Sequence, residues 1–147
     1  MIDKIKTLRE KTGAGVMDAK KAFEEARGDL ARAEEIISQR GLTKAASKSE
    51  REVASGRVYS YIHNTGRVGA MVEIACETDF VANTEDFQNL CKEVAMQVAS
   101  MAPEDVEVLM KQSYIRDGSK TIEDLVKTLI AKTGENMKIV RFVRFAL

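Results

Sequence analysis

Over the first 42 residues the apolar side chains recur at helical spacing in three short runs. Ile2, Ile5 and Leu8 form one stripe, Val16, Ala19, Phe23 and Ala26 a second, and Leu30, Ala33, Ile36 and Ile37 a third. Gly13-Ala14-Gly15 breaks the first helix from the second. Gly28 supplies a stop and Asp29 a cap between the second and third, and Gly41 ends the third. The pattern predicts a three-helix bundle over residues 1–42, close to the lower size limit for a unit that folds alone. Residues 43–56, "TKAASKSEREVASG", hold almost no large apolar group and read as an exposed linker, partly helical.

Beyond the linker the period changes to two. In "RVYSYIH", Val58, Ser60 and Ile62 share one face and Tyr59, Tyr61 and His63 the other. After the turn signal Asn64-Thr65-Gly66, the side chains of Val68, Ala70, Val72, Ile74 and Cys76 again point one way. These runs predict an antiparallel hairpin with one buried face. A long helix follows, with Phe87, Leu90, Cys91, Val94, Ala95, Val98, Met101 and Ala102 on its stripe, Asn83 or Thr84 at its start and Pro103 past its end. Residues 103–118 carry no clear period, and Asp117-Gly118 reads as a turn. Thr121 caps a further helix through Ile122, Leu125, Val126, Leu129 and Ile130, which Gly134 stops. The terminal "MKIVRFVRFAL" is strand-like with large apolar groups on both faces, which suits a strand covered on both sides or one at a subunit contact. The whole predicts an α+β chain: a helical bundle at 1–42, a linker at 43–56 and a core at 57–147 whose sheet is mostly antiparallel.

One connection does not fit a solvated loop. In "ACETDFVANTEDF" the chain passes from strand to helix through Thr78, Asp79, Phe80 and Val81, placing two large apolar groups where water is expected. Either Phe80 folds back over the next helix and Asp79 supports the turn, or the segment is a rigid tip that offers an aromatic and a carboxylate to a partner.

Composition narrows the chemistry. Lys and Arg number 23, Asp and Glu 23, so the formal charge is zero. That balance gives no electrostatic reason to expect direct nucleic-acid binding or attachment to an anionic membrane. No apolar run is long enough to span a bilayer, and the first residues have neither a signal core nor the acid-poor character of a transit peptide. Cys76 and Cys91 lie in apolar patterns and read as reduced, small hydrophobes of a cytoplasmic protein. The single histidine, His63, sits on a strand between no other ligand or nucleophile signal; a small hydrolase built on it is the weakest reading. Neither a zinc-type cysteine spacing nor a phosphate-binding glycine loop is present, so no metal, cofactor or catalytic residue is expected. Glu24-Glu25 and Glu34-Glu35 fall on solvent faces, and Met17 and Met71 read locally as core.

Three stretches together resemble one family. "LREKTGAGVMDAKKAFEEARGDLARAEEIISQRG" (Leu8 to Gly41), "ETDFVA" (Glu77 to Ala82) and "LIAKTGENMKIVRF" (Leu129 to Phe142) are similar, in order and at compatible spacing, to segments of bacterial elongation factor Ts. The resemblance implies a ubiquitin-associated-like three-helix domain and an α+β dimerisation domain. It implies a guanine-nucleotide exchange factor for elongation factor Tu, without covalent chemistry of its own. In that family an Asp-Phe pair, here Asp79 and Phe80 within Thr78–Val81, enters the GTPase near its magnesium and phosphate site. An apolar pair, here Val16 and Met17, docks the N-terminal domain. Longer relatives carry a second core half and a protruding helical coiled coil. With one core module, this chain resembles the short form, expected to act as a homodimer, for which Phe142 and Phe145 on the last strand are the candidate contact. A different class of reading makes the bundle a peptide- or ubiquitin-like-ligand binding module on a dimeric scaffold.

Overall fold

The computed structural model describes all residues, Met1–Leu147. Three helices open the chain: α1 (Ile2–Thr12), α2 (Val16–Glu25) and α3 (Leu30–Ser47). Gly13, in the left-handed conformation at φ 69°, closes α1, returning its N–H to the Arg9 carbonyl. The Asp29 carboxylate accepts the Arg32 N–H at 3.1 Å and caps α3. The inner faces of these helices meet in a small cluster of six buried residues, Leu8, Phe23 and four alanines.

The remainder is a three-stranded antiparallel sheet with helices on one face. Strands β1 (Ser55–Ile62) and β2 (Val68–Cys76) form the hairpin, and β5 (Met137–Ala146) pairs with the other edge of β2, giving the order β1-β2-β5. Between them lie α4 (Asp79–Ala82), α5 (Glu85–Met101), α6 (Val106–Lys111), the short strands β3 (Ser113–Tyr114) and β4 (Asp117–Thr121), and α7 (Ile122–Thr133). The α+β class and the antiparallel sheet read from the alternation are therefore present. Helix α5 lies across the inner face of the sheet, burying Phe87, Leu90, Cys91, Val94 and Val98 against Ala70, Val72, Ile74 and Ile139 in a core of 21 buried residues. Thr84 caps α5, accepting the Phe87 N–H at 3.3 Å. Thr121 and Asp124 form a reciprocal capping box on α7, and Gly134 ends it at φ 78°. Gln97, fully buried in α5, donates to the Ser113 carbonyl and accepts the Ile115 N–H, pinning the β3–β4 hairpin to the core. No helix is long and apolar enough to cross a membrane.

Several local expectations yield to tertiary context. Gly41 does not stop the third helix; α3 runs on through it to Ser47. The reason is packing: a Cβ at position 41 would stand 3.2 Å from the Ala131 side chain of α7, so the glycine lets α3 and α7 approach closely. The far end of α3 then enters the core, where Ala45 is buried, so the stretch expected as an exposed linker contributes to packing. Asp117-Gly118 is not the turn. Tyr114 pairs with Asp117, leaving Ile115 and Arg116 at the bend. Asp117 spends its turn-forming capacity inside β4, accepting from the Ser119 N–H and hydroxyl, and these bonds hold its carboxyl below the usual range. Met17 and Met71, read as core, are both exposed.

Candidate functional site

The site grows from the end of the β2·β5 ladder. The last ladder pair is Cys76 with Met137. One step beyond, side chains take over from backbone: the Glu77 carboxylate accepts the Asn136 N–H at 2.7 Å, and the Glu135 carboxylate accepts the Thr78 N–H at 2.9 Å and the Thr78 hydroxyl at 2.7 Å. The chain then turns into the single helical turn α4. Thr78 is its N-cap, its hydroxyl oxygen accepting the Val81 N–H at 3.3 Å. The connection expected at Thr78–Val81 is thus a capped turn of helix.

Alternation within that turn sorts the residues. Val81 and Ala82 point inward and join the core, so Val81, grouped with the tip on sequence, anchors it from beneath and is only 5% exposed. Phe80 points out and is 82% exposed. Leaving a phenyl group in water forgoes roughly 1.5–3 kcal/mol of burial, so the tip is not arranged for its own stability. Asp79 is also exposed, its carboxylate accepting the Ser55 hydroxyl from β1. Arg57 Nη2 donates to Asn83 Oδ1 at 3.2 Å, and the Gln88 side chain donates to the Asn83 carbonyl at 3.2 Å. The tip is therefore held from β1, α5 and the α7–β5 connection at once, while the phenyl ring stays free. Below it the Cys76 thiol donates to the Thr78 carbonyl at 3.2 Å; burial, and then the nearby Glu135 carboxylate, push its pKa up. Burial pushes the Cys91 thiol up to about 12. Neither cysteine has thiolate character at neutral pH.

Val16 and Met17 occupy the first turn of α2, 52% and 61% exposed. The N-cap there is Gly15, which has no side chain to accept a bond. Val16, placed on the buried stripe by spacing, is the end of that stripe and lies outside it. This pair sits on α2 in the bundle and the Asp79–Phe80 pair at the end of β2, on separate packing units.

Phe142 and Phe145 fall on opposite faces of β5. Phe142 is half-buried against the core, opposite Val72, whereas Phe145, opposite Gly69, is 74% exposed on the sheet's other face. Much of that outer face is apolar and uncovered: Val58 and Ile62 of β1, Met71 of β2, and Val143 and Phe145 of β5 line it, together with Ser60 and the Glu73–Arg141 ion pair. His63 is exposed, its Nδ1 3.0 Å from the Tyr61 hydroxyl, and no group of three or more potential metal ligands occurs. A cleft of about 400 Å³ lies between the bundle and α7 beside the Gly41–Ala131 contact, and no residue of the tip lines it. The cations lining it are matched by acids, with Lys11 on Glu34, Lys44 on Asp18 and Lys132 on Asp86 at 2.8–3.2 Å, so it presents little unbalanced charge.

Sequence reasoning missed the residues that hold the tip: Ser55, Arg57, Glu77, Glu135 and Asn136. Nothing local marks them, because each acts on a partner remote in the chain.

Comparison with known proteins points one way. A family model described as Elongation factor TS matches residues 77–147. The chain is 41% identical over 188 aligned positions to "Elongation factor Ts" of Anaeromyxobacter dehalogenans, covering 97% of this chain and 86% of that one. It is 41% identical over 186 positions to the protein of the same name from a Thermoanaerobacter species, covering 96% and 91%. To that of Rubrobacter xylanophilus it is 39% identical over 191 positions, covering 99% and 98%. These alignments are longer than the chain's 147 residues, so each relative holds residues within the matched span that have no counterpart here.

Proposed function

The chain belongs to the elongation factor Ts family, and from that premise we propose that it is a guanine-nucleotide exchange factor which releases GDP from elongation factor Tu by inserting the Asp79–Phe80 tip near the GTPase's magnesium and phosphate site. The observation that carries this reading is Phe80, a phenyl group left in water on a turn that hydrogen bonds hold from β1, from α5 and from Glu135 in the α7–β5 connection. A rigid aromatic anchor of this kind enters a partner's pocket without an ordering cost of its own.

The energetics set what the tip has to do. An exchange factor binds the nucleotide-free GTPase more tightly than the GDP-bound form, and a change of about 10³–10⁴ in nucleotide affinity corresponds to about 4–5.5 kcal/mol of differential binding. A buried phenyl anchor supplies roughly 2–4 kcal/mol. Asp79 supplies the rest by competing for polar contacts around a metal that neutralises phosphate charge. The coupling is reciprocal: nucleotide weakens binding of this chain by the same factor. Val16 and Met17 dock the bundle on the GTPase and touch no nucleotide. The chain performs no covalent chemistry, and its place of action is the cytoplasm.

A second copy covers the outer sheet face. Ile62, Met71, Val143 and Phe145 form an apolar patch across all three strands, bordered by Ser60 and the Glu73–Arg141 ion pair with Val58 beyond, of the kind that marks a protein interface. Phe145 belongs to it and Phe142 does not. Sedimentation at micromolar concentration should give a dimer, and Phe145→Lys should give a monomer; a wild-type monomer at every concentration rules the homodimer out.

Stopped-flow release of a fluorescent GDP analogue from elongation factor Tu tests the main reading. The wild-type chain should accelerate release, and Phe80→Ala should reduce the saturated rate at least tenfold (about 1.4 kcal/mol or more), with the melting temperature nearly unchanged because the ring buries little. Near-normal acceleration by Phe80→Ala removes the tip from the mechanism.

A further inference from the structure

The phenyl ring of Phe80 touches too little of its own protein to set its direction; only the backbone of α4 aims it. That backbone starts at Thr78, and Thr78 is held from outside by one carboxylate. Glu135 Oε1 accepts the Thr78 N–H at 2.9 Å and Glu135 Oε2 accepts the Thr78 hydroxyl proton at 2.7 Å. The hydroxyl's own lone pair is thereby left facing the Val81 N–H, 3.3 Å away, which is the bond that caps the turn. The carboxylate therefore orients the cap as well as tethering it. Without Glu135 the hydroxyl rotates freely and the N–H turns to water, so the first turn of α4 loses its fixed starting point while the core beneath stays closed.

Glu135 is itself fixed. Its neighbour Asn136, 2% exposed, donates its side-chain N–H₂ to the carbonyls of Ser49 at 3.3 Å and Arg51 at 2.7 Å, and its backbone N–H to Glu77. Gly134 closes α7 on the other side and its carbonyl accepts from Arg51 at 3.2 Å. The clasp thus joins the tip to the end of α7 and to the chain leaving α3.

We propose that Glu135 is a positioning residue for nucleotide exchange, whose two-point grip on Thr78 sets the direction in which Phe80 enters the partner; this rests on the tip reading given above. It touches neither partner nor nucleotide in this account. A charged acceptor with two donors is stronger than a neutral one, and a misdirected group loses rate steeply with small displacements.

The experiment compares Glu135→Ala, Glu135→Gln and Glu135→Asp in the same GDP-release assay, each over a full concentration series, beside wild type and Phe80→Ala. Glu135→Ala should reduce the saturated rate about tenfold while the half-maximal concentration changes less than about twofold, since the docking pair on α2 is untouched. Glu135→Gln keeps the acceptor for the Thr78 N–H and should recover part of the rate. Glu135→Asp keeps the charge but is one methylene too short to reach both donors, and should resemble Glu135→Ala. A wild-type saturated rate in Glu135→Ala overturns the inference. Better recovery by Asp than by Gln does so too, because it assigns the effect to charge alone, as does a loss confined to the half-maximal concentration. If Phe80→Ala still accelerates release, the tip reading itself falls and the clasp's role with it. If Phe80→Ala loses acceleration and Glu135→Ala keeps it, only the clasp is overturned.

Discussion

Val16–Met17 and Asp79–Phe80 occupy equivalent places on two helices, the first turn, yet they rest on different foundations. The α2 turn begins at a glycine with no capping side chain, above a cluster of six buried residues of which four are alanines. The α4 turn begins at a threonine whose hydroxyl both caps the turn and is gripped by a carboxylate, above a core of 21 buried residues. Alanine side chains bury little area, and apolar burial stabilises by roughly 25 cal/mol per Å². The bundle therefore has a shallow stability and its exposed pair can adjust, whereas the tip is held stiffly. The difference matches what each would have to do. A contact that only docks tolerates local adaptation; one that transmits force into a metal site has to keep its direction.

The comparison breaks first at Leu8, the fully buried anchor of the bundle. Leu8→Ala should cost about 3 kcal/mol, enough to open much of residues 1–42 while the sheet stays protected. Amide exchange resolved by segment measures this; uniform acceleration over the whole chain would show bundle and core unfolding as one unit. A smaller effect is expected from Val16→Asp. On the docking reading it should raise the half-maximal concentration for GDP release about five- to tenfold, or about 1–1.4 kcal/mol, leaving the saturated rate alone. A change in saturated rate would mean the two pairs are not separable. A third test is alkaline pH. All cysteines and tyrosines lie beyond residue 57. Burial raises Cys91 from 9.0, and burial with the Glu93 contact raises Tyr114 from 10.0, each to about 12. The unfolded chain thus releases these protons at lower pH than the folded one. The sheet's stability is complete below pH 9 and should fall as pH rises from 9 towards 12. The α2 helix signal should be less affected. Equal sensitivity would show that the bundle melts only with the core.

What the sequence disclosed follows from the range of each interaction. The caps at Asp29, Thr84 and Thr121 bind N–H groups three residues away, so spacing alone reveals them. From the residues alone the outward setting of Phe80 was visible only as an anomaly, because alternation in one helical turn does not say which side is roofed; the family resemblance supplied the outward reading. Gly41 misled for a different reason: local chemistry makes glycine a stop, and only the proximity of Ala131 on α7 makes it a clearance. Phe142 and Phe145 differ by three positions, which in a regular strand already assigns them to opposite faces. The clasp was out of reach. Glu135 acts on Thr78 across 57 residues and Asn136 on Ser49 across 87, and before folding "TGEN" is merely a polar run after a helix.

Helix α3 carries one more implication. Its 18 residues form an unbroken rod of about 27 Å, rooted in the small cluster at one end and seated through Ala45 in the large one at the other. A hinged tether would let the two exposed pairs find their receptors at any separation. Under the proposed function a rod makes the molecule a caliper: the α2 jaw adjusts only locally, and a partner surface has to bear two pockets near one span, in the right relative orientation, to be gripped by both.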